Sequence, residues 1–147
     1  MRIKTGPRRV RLRLSDYADA LPNIYFTGAH GAGKSSRVRW VAERYGLPMI
    51  EEVARAELER LGTTLEALRA NVAATSRYQR GVWQRQLATE LATRKPFVSD
   101  RGPDNLAYMA LHSEGVADII ESEEFIEAMR ALRDSIVFLV RPHGGDR

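Results

Sequence analysis

Residues Gly28 to Ser35 read Gly-Ala-His-Gly-Ala-Gly-Lys-Ser, which sets a lysine and a hydroxyl directly behind three spaced glycines. That spacing suits phosphate chemistry. Gly28, Gly31 and Gly33 let the backbone curl so that its N–H groups converge into a nest for phosphate oxygens. A helix beginning at this point adds the positive end of its dipole. Lys34 can reach the β- and γ-phosphates of a nucleotide, and the Ser35 hydroxyl is placed to ligate Mg²⁺. The expected nucleotide contacts are Gly28, His30, Gly31, Ala32, Gly33, Lys34, Ser35 and Ser36, with backbone rather than side chain mattering at His30. The composition supports the assignment. The chain has 20 arginines but only three lysines, Lys4, Lys34 and Lys95. Lysine stands here where a compact charge on a flexible stem is needed.

Phosphoryl transfer needs further groups: a carboxylate near the metal, a base for the attacking hydroxyl and cations for the moving charge. In a parallel sheet these belong at the C-terminal ends of strands, beside the loop. Two stretches qualify. In Glu51-Glu52-Val53-Ala54-Arg55 a carboxylate would hang over the γ-phosphate and accept a hydroxyl proton. Arg55 follows Glu52 by one helical turn and would face the same side. The competing reading is a charged first helical turn, where the dipole favours glutamate anyway. In Asp100-Arg101 the aspartate occupies the place of a metal-site acid, and the arginine would project into the acceptor site. The competing reading there is an Asp-initiated turn before Gly102-Pro103.

These groups need a scaffold, and the pattern around them supplies one. Residues 23–27 form a short apolar strand before the loop. Behind it, Val38, Val41, Ala42 and Tyr45 recur at helical spacing, with Arg37, Arg39 and Arg44 on the other face. Gly46 and Pro48 end that helix, and a second short strand is expected around Pro48–Ile50. Helical patterning follows in three pieces: Val53, Leu58 and Leu61; then Leu65, Leu68 and Val72; then Val82, Trp83, Leu87 and Leu91 from about Ser76. Phe97-Val98-Ser99 reads as a third strand. Pro103 suits the first turn of a helix through His112. Ser122, Glu123 and Glu124 suit the start of one carrying Phe125, Ile126, Met129 and Leu132. Ile136–Val140 is a continuous apolar run, the strongest buried-strand signal in the chain. Strands alternating with helices predict an α/β fold of three layers, a parallel sheet flanked by helices on both sides.

At 147 residues, 44% hydrophobic and 29% charged, the chain is long and apolar enough for one globular domain. It has no apolar run of membrane-spanning length, and its basic N-terminus lacks the apolar stretch of a signal peptide. The absence of cysteine excludes disulfides and cysteine-bound metals and fits a cytoplasmic, intracellular protein. The net charge of +4 sits unevenly. Residues 1–14 carry Arg2, Lys4, Arg8, Arg9, Arg11 and Arg13 and no acid, so the chain beyond them is slightly acidic. Residues 1–22 are therefore read as a basic leader and 23–147 as the domain proper. The leader could contact phosphate backbones. Equally, Val10, Leu12 and Leu14 alternate with Arg11 and Arg13 as an edge strand would.

The ordered set of Gly28–Ser35, Glu52-Val53-Ala54-Arg55 and Asp100-Arg101-Gly102-Pro103-Asp104-Asn105-Leu106-Ala107-Tyr108 resembles the AAA-type P-loop kinases and ATPases. More narrowly, it resembles the group that includes bacterial nicotinamide riboside kinase domains, over roughly residues 23–142. The Glu-x-x-Arg is also similar to the Asp-x-x-Arg of polynucleotide 5′-hydroxyl kinases, and phage kinases acting on DNA bases share this broad class. The resemblance implies a P-loop NTPase fold and a phosphotransferase using ATP and Mg²⁺. Its acceptor would be a hydroxyl of a nucleoside, a nucleotide or a nucleic acid. Lys34, Glu52, Asp100 and Arg101 are then the catalytic set, Glu52 as base or substrate ligand and Asp100 as metal-site or base carboxylate. Ser35 and Asp100 would hold the metal, and Glu52, Arg55 and Arg101 the acceptor. Asp104 and Tyr108 are expected to orient their helix rather than to touch substrate.

Such kinases continue past the fourth core strand into an arginine-bearing lid and a fifth strand. Here Ile136–Val140 is followed by Arg141-Pro142-His143-Gly144-Gly145-Asp146-Arg147, which resembles the start of a lid with Arg141 and Arg147 as its cations. The expectation is a domain short at its C-terminus, with an oligomer or a partner chain among the ways to complete it. A nucleotide-binding switch or ATPase subunit is the alternative function this suggests. His112 and His143 stand isolated, so no zinc site is expected. Trp40 and Trp83 sit in helical patterns and read as packing residues.

Overall fold

The computed structural model describes residues 22–29 and 31–142. Residues 1–21 of the leader with the Val10–Leu14 alternation, His30, and the tail with His143 and Arg147 lie outside the described residues. Four strands, β1 (Ile24–Gly28), β2 (Met49–Ile50), β3 (Val98–Asp100) and β4 (Ile136–Val140), form one sheet in the order β2-β3-β1-β4. Every pairing is parallel. The helices are α1 (Lys34–Tyr45), α2 (Val53–Leu61), α3 (Leu65–Arg69), α4 (Val72–Ala92), α5 (Asn105–His112), α6 (Val116–Ile120) and α7 (Glu123–Arg133). None is long and apolar enough to cross a membrane.

The alternation of β1 divides the molecule into layers. Ile24 and Phe26 point to one face, where with Val98 and Val140 they pack on Val38 and the half-buried Val41, Ala42, Leu47 and Met49. Tyr25 points to the other, among Ile50, Phe97, Val53 and Leu132. Helices therefore cover both faces, giving the expected three-layer α/β P-loop fold. A third cluster, Trp83 with Leu106, Met109 and Ile119, packs helix on helix beneath Phe125 and Ala128.

The boundaries differ from the sequence reading where tertiary contacts override local signals. β3 extends through Asp100, because the Arg101 N–H donates to the Phe26 carbonyl at 2.9 Å and prolongs the ladder. Helix α4 starts at Val72, not Ser76, since the Asn71 side chain accepts from the Ala74 N–H and caps it. Pro103 lies outside α5, whose N-cap is Asp104. The five-residue α6 is too short to leave a periodic pattern. Ser122 caps α7 as expected, accepting from the Phe125 N–H.

Two burial expectations are corrected. Ile136, Val137, Phe138 and Leu139 of β4 are 43–65% exposed and only Val140 is buried. β4 is the edge of the sheet among the described residues, so its apolar run marks a strand but not its cover. Trp40 is 59% exposed and packs edge-on against Tyr45, whereas Trp83 is a core residue.

A buried carboxylate fastens α2 to α4. Glu57, 2% exposed, accepts from Arg60 at 2.6 and 3.0 Å and from Arg85 Nε at 3.2 Å. A Cβ on Gly81 of α4 would come within 2.3 Å of Glu57 Oε1, so a side chain there would have to displace the carboxylate from its arginines. The Arg60 hydrogen bonds, helped by Arg85 and opposed by burial, hold the Glu57 carboxyl below the usual range. A depressed folded pKa stabilises above the unfolded value and is lost as pH falls through the folded one. Glu57→Gln is therefore expected to cost about 1–2 kcal/mol at neutral pH. The difference from wild type should fade as pH drops below about 4.3, which urea denaturation of both proteins across that range measures.

Candidate functional site

The loop after β1 is built by what a side chain would strike. Gly28 has φ 132°, and a Cβ there would lie 2.1 Å from the Val140 carbonyl oxygen of the neighbouring strand. Gly33 caps α1 in the left-handed region at φ 78°. Lys34, the first residue of α1, is 6% exposed, and its Nζ donates to the carbonyls of Gly28 at 3.1 Å and Ala29 at 2.6 Å. Burial, then the nearby Arg101 guanidinium, hold its ammonium below the usual lysine range against the pull of Asp100, Glu52 and Asp104. Arg37, read from sequence as solvent-facing, instead donates Nη1 to the carbonyls of Ala32 and Gly33 at 2.8 and 3.1 Å. It staples the loop from outside, a role no motif announces.

Ser35 and Asp100 meet across 65 residues of sequence: Ser35 Oγ donates to Asp100 Oδ2 at 2.5 Å. Asp100 is 4% exposed, and its Oδ1 is buried without a hydrogen-bond partner. A buried carboxylate oxygen costs free energy unless something satisfies it. Among the described residues no three His, Asp or Glu side chains gather to hold a metal. A hydroxyl and one carboxylate fit Mg²⁺, which keeps waters and takes phosphate oxygens as further ligands. Ser36 lies exposed on α1.

Arg101 is the link to the second half of the site. It alone among the described non-glycine residues has positive φ, 80°. Its Nε donates to Glu52 Oε1 and its Nη1 to Asp104 Oδ2, both at 2.9 Å, with Gly28 O at 3.5 Å from Nη1. Burial works against its charge, but Asp104 and Glu52 outweigh that and raise its pKa. Glu52 is the N-cap of α2 yet its side chain caps no amide. Its carboxylate is spent on Arg101, not on the helix dipole. Asp104 also accepts from the Gly102 N–H at 2.9 Å, fixing the turn rather than capping α5.

Glu52, Arg55, Arg101 and Asp104 line a cavity of 440 Å³ between α2, α3, α4 and α5. Val53, Leu58, Leu68 and Val82 give it an apolar wall. Sequence reasoning missed Tyr78, Gln79 and Asn105, which also line it. Burial, then Glu52 and Glu57, push the Tyr78 phenol up to about 12, and its hydroxyl donates to the Ala54 carbonyl. Asn105 Nδ2 donates to both carbonyl oxygens of Gln79. Aliphatic spacing on α4 could have flagged the cavity wall, but not which helices close it. Tyr108 lines the cavity and is 40% exposed, its ring 4.3 Å from that of His112. Glu51 and Arg141 are exposed.

A family model described as an AAA domain matches residues 23–145. No curated protein sequence matches the chain. Among solved structures, a shikimate kinase from Acinetobacter baumannii in complex with shikimate is 15% identical, with 89% of each chain covered and a TM-score of 0.47. A shikimate kinase from Bacteroides thetaiotaomicron is 17% identical, with 82% of this chain and 88% of that one covered and a TM-score of 0.44. A gluconokinase from Sinorhizobium meliloti 1021 is 17% identical, with 81% and 82% covered and a TM-score of 0.35.

Gly28 makes the loop testable at its root. Gly28→Ala should lower stability by about 2–4 kcal/mol, because its Cβ meets rigid backbone of β4. Thermal and urea denaturation read this directly, and wild-type stability would refute the close approach.

Proposed function

The chain belongs to the AAA domain family, and on that premise we propose that it is a kinase. It would transfer the γ-phosphoryl group of ATP to a hydroxyl of a nucleoside-like or nucleic-acid acceptor. One observation carries the proposal: Arg101 joins the Gly28 carbonyl of the phosphate loop to Glu52 at the cavity. A carboxylate, a phosphate nest and a shared cation then sit within one side chain's reach.

In this reading Lys34 exchanges the Gly28 and Ala29 carbonyls for the β- and γ-phosphates. The loop N–H groups and the α1 N-terminus take the remaining phosphate charge. Ser35 and Asp100 would hold Mg²⁺, which would supply neutralisation of the phosphate charge. Glu52 accepts the acceptor's hydroxyl proton on Oε2, its other oxygen being engaged by Arg101. Asp100 is the weaker candidate for base, because Oδ2 already accepts the Ser35 proton. The acceptor oxygen forms its bond to the γ-phosphorus as the bond to the β-phosphate bridging oxygen breaks. Arg101 offsets the charge that develops between them. The apolar wall with Tyr108 supports a flat ring in the acceptor, and Arg55 at the cavity supports a polar or anionic substituent.

Lys34→Ala should weaken Mg·ATP affinity about 10- to 100-fold by calorimetry; equal affinity would sink the nucleotide assignment. Glu52→Gln should slow transfer by about 10²- to 10⁴-fold with Mg·ATP affinity little changed. Labelled ATP offered with nucleosides, nicotinamide riboside among them, and with oligonucleotides reads the acceptor. Labelled acceptor supports the kinase, free phosphate alone an ATPase, and bound nucleotide without turnover a switch.

A further inference from the structure

A string of polar groups, half-buried at Glu90 and otherwise buried, ends on the Arg101 backbone, and one of its members, Gln86, also lines the cavity. Ser99 of β3 is fully buried, and its Oγ donates to the Arg101 carbonyl at 2.6 Å. Gln86 of α4, 1% exposed, gives its Nε2 to Ser99 Oγ at 3.3 Å and to Glu90 Oε1 at 2.7 Å. On the strand beside β3, burial and then the neighbouring Glu90 carboxylate push the Tyr25 phenol well above its usual range. The same Tyr25 ring lies 3.0 Å from where a Cβ on Gly102 would stand, closing the turn from below.

The string solves a conformational problem. A non-glycine residue in the left-handed region persists only where its surroundings over-determine it. Arg101 is held at both ends of its backbone, its N–H by the Phe26 carbonyl and its C=O by Ser99. A serine hydroxyl has one proton and a free rotor. By donating into Ser99 Oγ, Gln86 leaves the Ser99 proton directed at the Arg101 carbonyl. If that bond is lost, the peptide relaxes towards negative φ and swings the guanidinium away from Glu52 and Gly28.

We propose that Ser99 and Gln86 are positioning residues that lock the left-handed Arg101 peptide and so aim its guanidinium between the phosphate loop and the cavity carboxylate. The consequence for turnover rests on the kinase reading; the consequence for Arg101 itself does not.

The test therefore uses two readouts on the full chain. The first is the Arg101 Nε–H resonance of ¹⁵N-labelled protein, assigned by its disappearance in Arg101→Lys. Wild type should show it exchanging slowly with solvent, as an ion-paired Nε–H must. Ser99→Ala and Gln86→Leu should lose that protection while remaining cooperatively folded, and Ser99→Thr, which keeps the hydroxyl, should restore it. The second readout is phosphoryl transfer, expected to fall by up to about a hundredfold in kcat for Ser99→Ala, with the KM for ATP nearly constant. Protection retained in folded Ser99→Ala or Gln86→Leu overturns the proposal, whatever happens to melting temperature. So does a wild-type signal that exchanges like those of exposed arginines. If wild type transfers no phosphate to any acceptor, the kinase reading fails and the resonance alone decides the positioning role.

Discussion

The Arg101 guanidinium is the cation on which Glu52, Asp104 and the Gly28 carbonyl converge, so the phosphate loop and the cavity share a single charge. That sharing sets several other features. Glu52 and Asp104 are drawn together because each forms an ion pair with the same guanidinium. Lys34, held down by burial and by the same guanidinium, has its ammonium turned onto the Gly28 and Ala29 carbonyls. The left-handed peptide that aims Arg101 is tied to Phe26 on one side and Ser99 on the other.

The sheet order places those ties. With β1 between β3 and β4, the loop leaving Gly28 lies beside both Asp100 and Val140. One neighbour supplies the carboxylate that meets Ser35. The other supplies the backbone that leaves Gly28 no room for a side chain. Glycine at position 28 is thus required by strand packing alone, and the α2–α4 fastening through Glu57 holds the cavity's far wall.

Legibility from sequence followed the range of each interaction. The phosphate loop, the α1 stripe of Val38, Val41 and Ala42, the Gly46 stop and the Ser122 cap all depend on residues within a few positions of one another. They were readable for that reason. Asp100 and Glu52 stand out in the sequence through their motifs, but their partners Ser35 and Arg101 do not follow from those motifs. The exposure of β4 and of Trp40 was misread because an apolar run reports what a residue prefers, not what the chain brings to cover it. Arg37, Tyr78, Gln79 and Ser99 carry no such signal, being ordinary residues until packing selects their neighbours.

The sequence by itself determined the glycine-rich loop between β1 and α1, the alternation of strands and helices and the placing of carboxylates and arginines just after strands. Glycine torsions, helix dipoles and hydrophobic periodicity act between near neighbours. Only the tertiary structure decided that Arg101 would spend itself on Glu52, 49 residues away, and that Ser35 would find Asp100 across 65. Pairings over such distances depend on sheet order and helix packing, which sum weak contacts along the whole chain and leave no mark on any one stretch of it.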